Sequence, residues 1–176
     1  IDSVPLTAIA FFMLTGELMT SATITDRLVA LSRALIGRIR GGLAQVNVLV
    51  SMFFAGMNGS VVADTATVGA LVLPAMKKAG YPAAFSAAVT GVSSTIGGII
   101  PPSIMMIVLA NATEISIAAL FAAGIVPGIL IGVVIMVINH YFAVKYNFER
   151  SDQPFSVRRA GKELYRSSFA LLIPLV

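Results

Sequence analysis

Residues 116 to 138, SIAALFAAGIVPGILIGVVIMVI, run for 23 positions without a charged side chain. A helix of that length rises about 34 Å, enough to cross a hydrocarbon core of roughly 30 Å. Across the whole chain 57% of residues are hydrophobic and only 11% charged, a balance that one water-soluble core of 176 residues could hardly bury. The sequence therefore predicts an integral membrane protein of the all-α class. A second apolar stretch, residues 3 to 22, is interrupted only by Glu17, expected to face the protein interior or an interface, as a structural hydrogen-bonding group rather than its alternative, a proton relay.

The net charge of +4 does not point to nucleic acid, because the cations fall in short segments between apolar runs. They read as orientation signals. With Arg27, Arg33, Arg38, Arg40, Lys77, Lys78, Lys145, Arg150, Arg158, Arg159, Lys162 and Arg166 all on the cytoplasmic side, each segment between them crosses an even number of times. Residues 79 to 114 and 115 to 144 supply two crossings, joined outside by NATEIS. The 36 residues from 41 to 76 are too few for two full spans, which need about 40 plus a turn. Residues 43 to 78 are expected to form a re-entrant helical hairpin with its tip at 58 to 60, the sequence Asn58, Gly59, Ser60. Irregular backbone at membrane depth needs protein or a water-filled cavity around it, which makes the tip a site candidate.

The remaining segments follow from pattern. Residues 1 to 22 are expected to span the membrane. Residues 23 to 42 form an amphipathic interfacial arm with Leu28, Leu31, Leu35 and Ile39 on one face. Residues 145 to 166 form a second cytoplasmic or interfacial arm, and 167 to 176 open another span. The chain begins at Ile1 and stops within the apolar run SSFALLIPLV, so it is expected to be a piece of a longer protein. Cysteine is absent, which removes disulfides and thiolate-bound metal, and the single histidine, His140, cannot build a metal cluster.

The stretch GVSSTIGGIIPPSIMM, residues 91 to 106, breaks a helix that its flanks would otherwise continue. Pro101 and Pro102 lack the amides that would bond the carbonyls of Gly97 and Gly98, so two acceptors are expected to be free between residues 97 and 102. Residues 82 to 96 aim the negative pole of their helix dipole at this break, and the next half-helix presents a positive pole. Broken helices of this kind hold cations on carbonyls and anions on amide ends in secondary transporters. A plain proline kink for packing is the alternative. Ser60, Ser93, Ser94, Thr95 and Ser103 are the hydroxyls placed to line a substrate site, although Ser and Thr also bond their own helix backbone. Asp64 either caps the second hairpin arm or lends negative potential to a cation.

FAGMNGSVVADTATVGALVLPAMKKAGYPAAFSAAVTGVSSTIGGIIPPSIMMIV resembles the large membrane subunit of tripartite ATP-independent periplasmic transporters, in its FAG-x-x-GS, AD, GY and SSTIG…IIPPS elements. The resemblance runs from about Leu6 to Arg150, with Asn58 where the family usually has Ser and Gly98 where Pro is common. It implies a sodium-coupled, elevator-type secondary transporter of a bacterial inner membrane, with this chain holding roughly the first of two inverted repeats. It implies partners too: a small membrane subunit, separate or fused, and a periplasmic binding protein delivering an organic acid such as sialic acid or a C4-dicarboxylate. Carried over, a sodium site would use Ala55, Asn58, Gly97, Ile100 and Pro101, mostly through backbone carbonyls; no other cofactor is implied. An intramembrane enzyme is disfavoured because GVSST has no histidine base nearby and Asp64 no second aspartate. A channel and a symporter independent of a binding protein remain as alternatives.

Overall fold

In the computed structural model the described residues are Phe11, Leu14, 22 to 36 and 39 to 148, and all the elements they form are helices. Apart from Phe11, Leu14, Ala22 and residues 145 to 148, the expected span over residues 1 to 22, the second arm and the final span therefore lie outside the described residues.

α1 (Ala22–Ile36) packs on α2 (Gly42–Asn58), the central helix of the group. Gly41 opens α2 at φ 71°, its carbonyl accepting from the amides of Ala44 and Gln45 at 2.9 and 3.2 Å. A side chain at Gly41 would press on Ala143, so the turn is closed by contact as well as by conformation. α2 is buried on nearly every side, through Ala44, Val46, Val48, Val50 and Phe54 together with Gln45, Asn47 and Ser51. Such a helix belongs to an interior. It ends at Gly59, φ 58°, whose amide returns to the Ala55 carbonyl at 3.2 Å.

α3 (Val61–Lys78) runs back after a turn of only Gly59 and Ser60. Lys77 and Lys78 sit at its carboxyl end, where cations suit the dipole. Gly80 then reverses the chain at φ 79°, with the Tyr81 amide bonded to Met76 O at 3.1 Å. α4 (Ala83–Ser94) passes into a 3-10 turn over Thr95–Gly98. Helix resumes as α5 (Ile104–Thr113), where Ser103 supplies the cap: its Oγ accepts from the Met106 amide at 3.3 Å. The Pro101–Pro102 peptide between them is cis.

Glu114, φ 58°, ends α5, and Ser116 caps α6 (Ile117–Lys145). α6 is the one helix among the described residues long and apolar enough to cross a membrane, at about 43 Å. It turns Val126, Leu130, Val133 and Val137 outward, fully or half exposed, so its free surface is aliphatic. Its packed side is a seam of glycine: Gly124, Gly128 and Gly132, all buried.

The cation-bearing turns converge at one end. Arg40 Nη1 donates to Asn147 Oδ1 at 3.0 Å, joining the α1–α2 link to the end of α6. The Tyr81 and Phe148 rings stand 4.7 Å apart and Phe85 lies 5.1 Å from Phe148, which brings the α3–α4 turn to the same place. The arm helix differs from its expected face. Leu28, Leu31 and Ile36 are buried with Ser32, whereas Leu35 and Ile39 are each 40% exposed. The helix stops at Ile36, so Ile39 never joins its stripe.

Candidate functional site

Four helix ends meet where the hairpin tip seats on the break. α2 and the 3-10 turn arrive with their carbonyl ends, while α3 and α5 depart with their amide ends. The seat is tight. A side chain on Gly59 would overlap the Pro102 carbonyl, and the Ile104 amide donates across to Gly59 O at 3.4 Å. In an unbroken helix that amide would serve Ile100 instead. On the other side, a Cβ at Gly97 would touch the Ser60 carbonyl group at 3.6 Å, and one at Gly56 would lie 3.8 Å from Pro101 O.

Crossing chains this way leaves acceptors over. Outside the hydrogen bonds within helices, no backbone amide among the described residues donates to the carbonyls of Asn58, Gly97, Ile100 and Pro101, nor to those of Gly56, Met57, Ile99 and Pro102 beside them. Asn58 and Gly97 are buried, where backbone groups are almost always paired, while Ile100 and Pro101 are half-buried, so the carbonyls of this contact are open to a ligand or to water. Ala55, the fifth residue singled out from sequence, is placed in the same turn, but its carbonyl already accepts from Gly59. Asn58 Oδ1 is likewise engaged, accepting from the Ser60 amide at 3.1 Å, while its Nδ2 is buried without a partner.

One expectation is corrected here. The Gly98 carbonyl is not free: Ser103 Oγ donates to it at 2.8 Å. The hydroxyl stands in for the missing Pro102 amide, and Ser103 is completely buried in doing so. Of the two acceptors expected from the prolines, only that of Gly97 stays open.

The hydroxyls expected to line a substrate site divide. Ser60 and Ser103 stand at the junction as caps of α3 and α5, Ser60 accepting from the Ala63 amide at 3.4 Å. Ser93 and Ser94 point instead into the core and both donate to Thr90 O, at 3.1 and 2.8 Å. Ser93 also reaches Asn47 Oδ1 and Ser51, each at 3.2 Å, and Asn47 Nδ2 donates to Thr90 Oγ1 at 2.7 Å. Thr95 is exposed and bonds Val92 O at 2.7 Å. Asp64 does not cap: it is wholly buried one turn into α3.

Two features escaped the sequence reading. The polar seam of Asn47, Ser51, Thr90 and Ser93 is hidden because its members sit on two helices about 40 residues apart in the chain, though Asn47 and Ser51 are spaced at i, i+4. The α6 glycines hold the break in place: a Cβ at Gly124 would meet Ile99 O at 2.5 Å, and one at Gly128 would overlap Ile100. Small residues at every fourth position in an apolar helix are the signal that announces such a seam.

Among the described residues every element is a helix, and bare aliphatic surfaces around a buried polar junction are consistent with a membrane protein. The whole chain, residues 1 to 176, matches the family model described as tripartite ATP-independent periplasmic transporter, DctM component, and the chain belongs to that family. It is 46% identical over 138 residues to the C4-dicarboxylate TRAP transporter large permease protein DctM of Pseudomonas aeruginosa, covering 78% of this chain and 32% of that one. It is 39% identical over 177 residues to the sialic acid TRAP transporter permease protein SiaT of Haemophilus influenzae, covering 100% of this chain and 28% of that one. The 2,3-diketo-L-gulonate TRAP transporter large permease protein YiaN of Escherichia coli is 38% identical over 175 residues, covering 99% and 41%. These relatives are named as permeases and not as enzymes, and the chain spans between 28% and 41% of their lengths.

Proposed function

We propose that this chain forms part of a sodium-coupled secondary transporter that takes up an organic acid across a bacterial inner membrane. The observation that carries this is the set of unengaged carbonyls of Asn58, Gly97, Ile100 and Pro101 at the contact of tip and break. Carbonyl oxygens replace the water of a small cation, and the carbonyl ends of α2 and the 3-10 turn add negative potential at the same point. The amide ends of α3 and α5 leave from that point too, which favours an anion beside the cation. Binding the two together makes each stabilise the other, the condition for coupled transport.

The substrate class follows from the names of the relatives. A dicarboxylate, sialic acid and diketogulonate share a carboxylate, which suits an anion site next to sodium. In this reading the junction moves as one block against the rest of the protein, an elevator motion. On this reading a small membrane subunit and a periplasmic binding protein complete the tripartite system to which the family's description refers.

The experiment is uptake by the full-length transporter in proteoliposomes, with and without its periplasmic protein, under inward sodium or potassium gradients. Uptake that needs both sodium and the binding protein is expected. Equal uptake under potassium would remove sodium as the coupling ion; full uptake without the binding protein would make the system a two-component symporter.

A further inference from the structure

Asp64 is wholly buried between α2, α3 and α4, and neither of its carboxylate oxygens has a hydrogen-bond partner. The polar groups that face it are the hydroxyls of Ser94 and Ser51. Both hydroxyls also bond elsewhere: Ser94 donates to Thr90 O at 2.8 Å, and Ser51 lies 3.2 Å from Ser93 Oγ, where either hydroxyl can donate. No cationic side chain among the described residues pairs with Asp64.

A carboxylate in a dry interior with no hydrogen-bond partner is costly unless a positive charge lies beside it. We infer that Asp64, Ser51 and Ser94 hold a small monovalent cation, sodium, inside the packing of α2, α3 and α4, at a second site one helical turn from the tip. One carboxylate and neutral hydroxyls neutralise a single positive charge, whereas a divalent ion would leave an excess. The ligands are side chains, while those of the junction are backbone. The site takes only the identity of its ion from the proposed function.

Geometry also suggests what it does. The Asp64 amide bonds the Ser60 carbonyl at 3.0 Å, so an ion gripped by Asp64 steadies the turn whose tip seats on the break. Filling this site prepares the junction for its own ion.

The test is sodium-dependent thermal stabilisation of the purified full-length transporter, titrated at constant ionic strength against potassium. Asp64→Asn keeps the size and gives the two serine oxygens a donor. It should raise the half-saturating sodium concentration at least about tenfold, and it should flatten a cooperative curve. Ser94→Ala and Ser51→Ala should each raise it several-fold. An unchanged sodium curve in Asp64→Asn overturns the inference, and one that is unchanged while pH dependence is lost makes Asp64 a proton site, which overturns it equally. If Asp64→Asn fails to fold, the same measurement on Ser94→Ala decides: no shift is a refutation. Pro101→Ala, made in parallel, acts on the junction alone. A shift there with none in the Asp64 and Ser94 variants removes this site and keeps the proposed function, and the opposite pattern does the reverse.

Discussion

The hydroxyl of Ser103 donates to the carbonyl of Gly98 at 2.8 Å, across a break that leaves the neighbouring carbonyl of Gly97 open. The two prolines are thus unequal. Pro101→Ala restores the amide that in a helix would serve Gly97, whereas Pro102→Ala restores one for an acceptor already satisfied. A competing hydrogen bond of about 0.5–1.5 kcal/mol corresponds to a roughly two- to tenfold rise in half-saturating sodium. We expect that rise in transport assays for Pro101→Ala and little change for Pro102→Ala. Equal responses of the two variants would mean that the break acts through its shape and not through the Gly97 carbonyl.

Gly59 and Gly80 both lie at positive φ, 58° and 79°, but only Gly59 faces a neighbour. Alanine at Gly80 meets nothing within 4 Å and should cost only the backbone penalty, about 1–2 kcal/mol. Alanine at Gly59 adds overlap with the Pro102 carbonyl, a backbone atom that cannot rotate away. Thermal denaturation of the two variants should therefore show the larger loss at Gly59, accompanied by loss of transport. Matching losses would indicate that tip and break do not bear on each other.

The sequence made the helical class, the hairpin turn and the interrupted helix legible because each rests on strong local chemistry: a charge-free run, an Asn-Gly-Ser turn, adjacent prolines. It also brought tip and break into one hypothesis, through resemblance. What it missed depends on side chains meeting from separate helices. Ser103 looks like a residue free to line a cavity until Gly98 is found five positions earlier in chain and 2.8 Å away in space. Asp64 looks like a first-turn acid suited to a dipole, and only the packing of α2 and α4 over it shows that it faces Ser51 and Ser94. Leu35 fits the periodicity of the arm helix yet stays 40% exposed, since the pattern gives a face but not how wide a face its neighbour covers.

The glycines of α6 should differ in tolerance according to what they touch. Gly124→Ala drives a methyl against the carbonyl of Ile99, in the break itself. Gly132→Ala meets the side chain of Met52, which can swing aside. Reduced transport and a lower melting temperature are expected for the first, and near-normal behaviour for the second. A Gly124→Ala variant with unchanged sodium activation would uncouple α6 from the break.

Sidedness is the last expectation, and it rests on the joint between Tyr81 and Phe148. Because these rings are 4.7 Å apart, Lys77 and Lys145, both exposed, must lie at one end of the structure. Glu114, also exposed, precedes the whole length of α6 and so lies about 43 Å from Lys145. Lysine and arginine cluster at the first end, which the positive-inside rule assigns to the cytoplasm. The described chain is free of cysteine, so single cysteines can be placed at the three positions in a cysteine-free transporter. An impermeant thiol reagent should then label Lys77→Cys and Lys145→Cys only from inside, and Glu114→Cys only from outside. Labelling of Lys77→Cys and Lys145→Cys from opposite faces would mean that residues 79 to 144 cross an odd number of times and not twice.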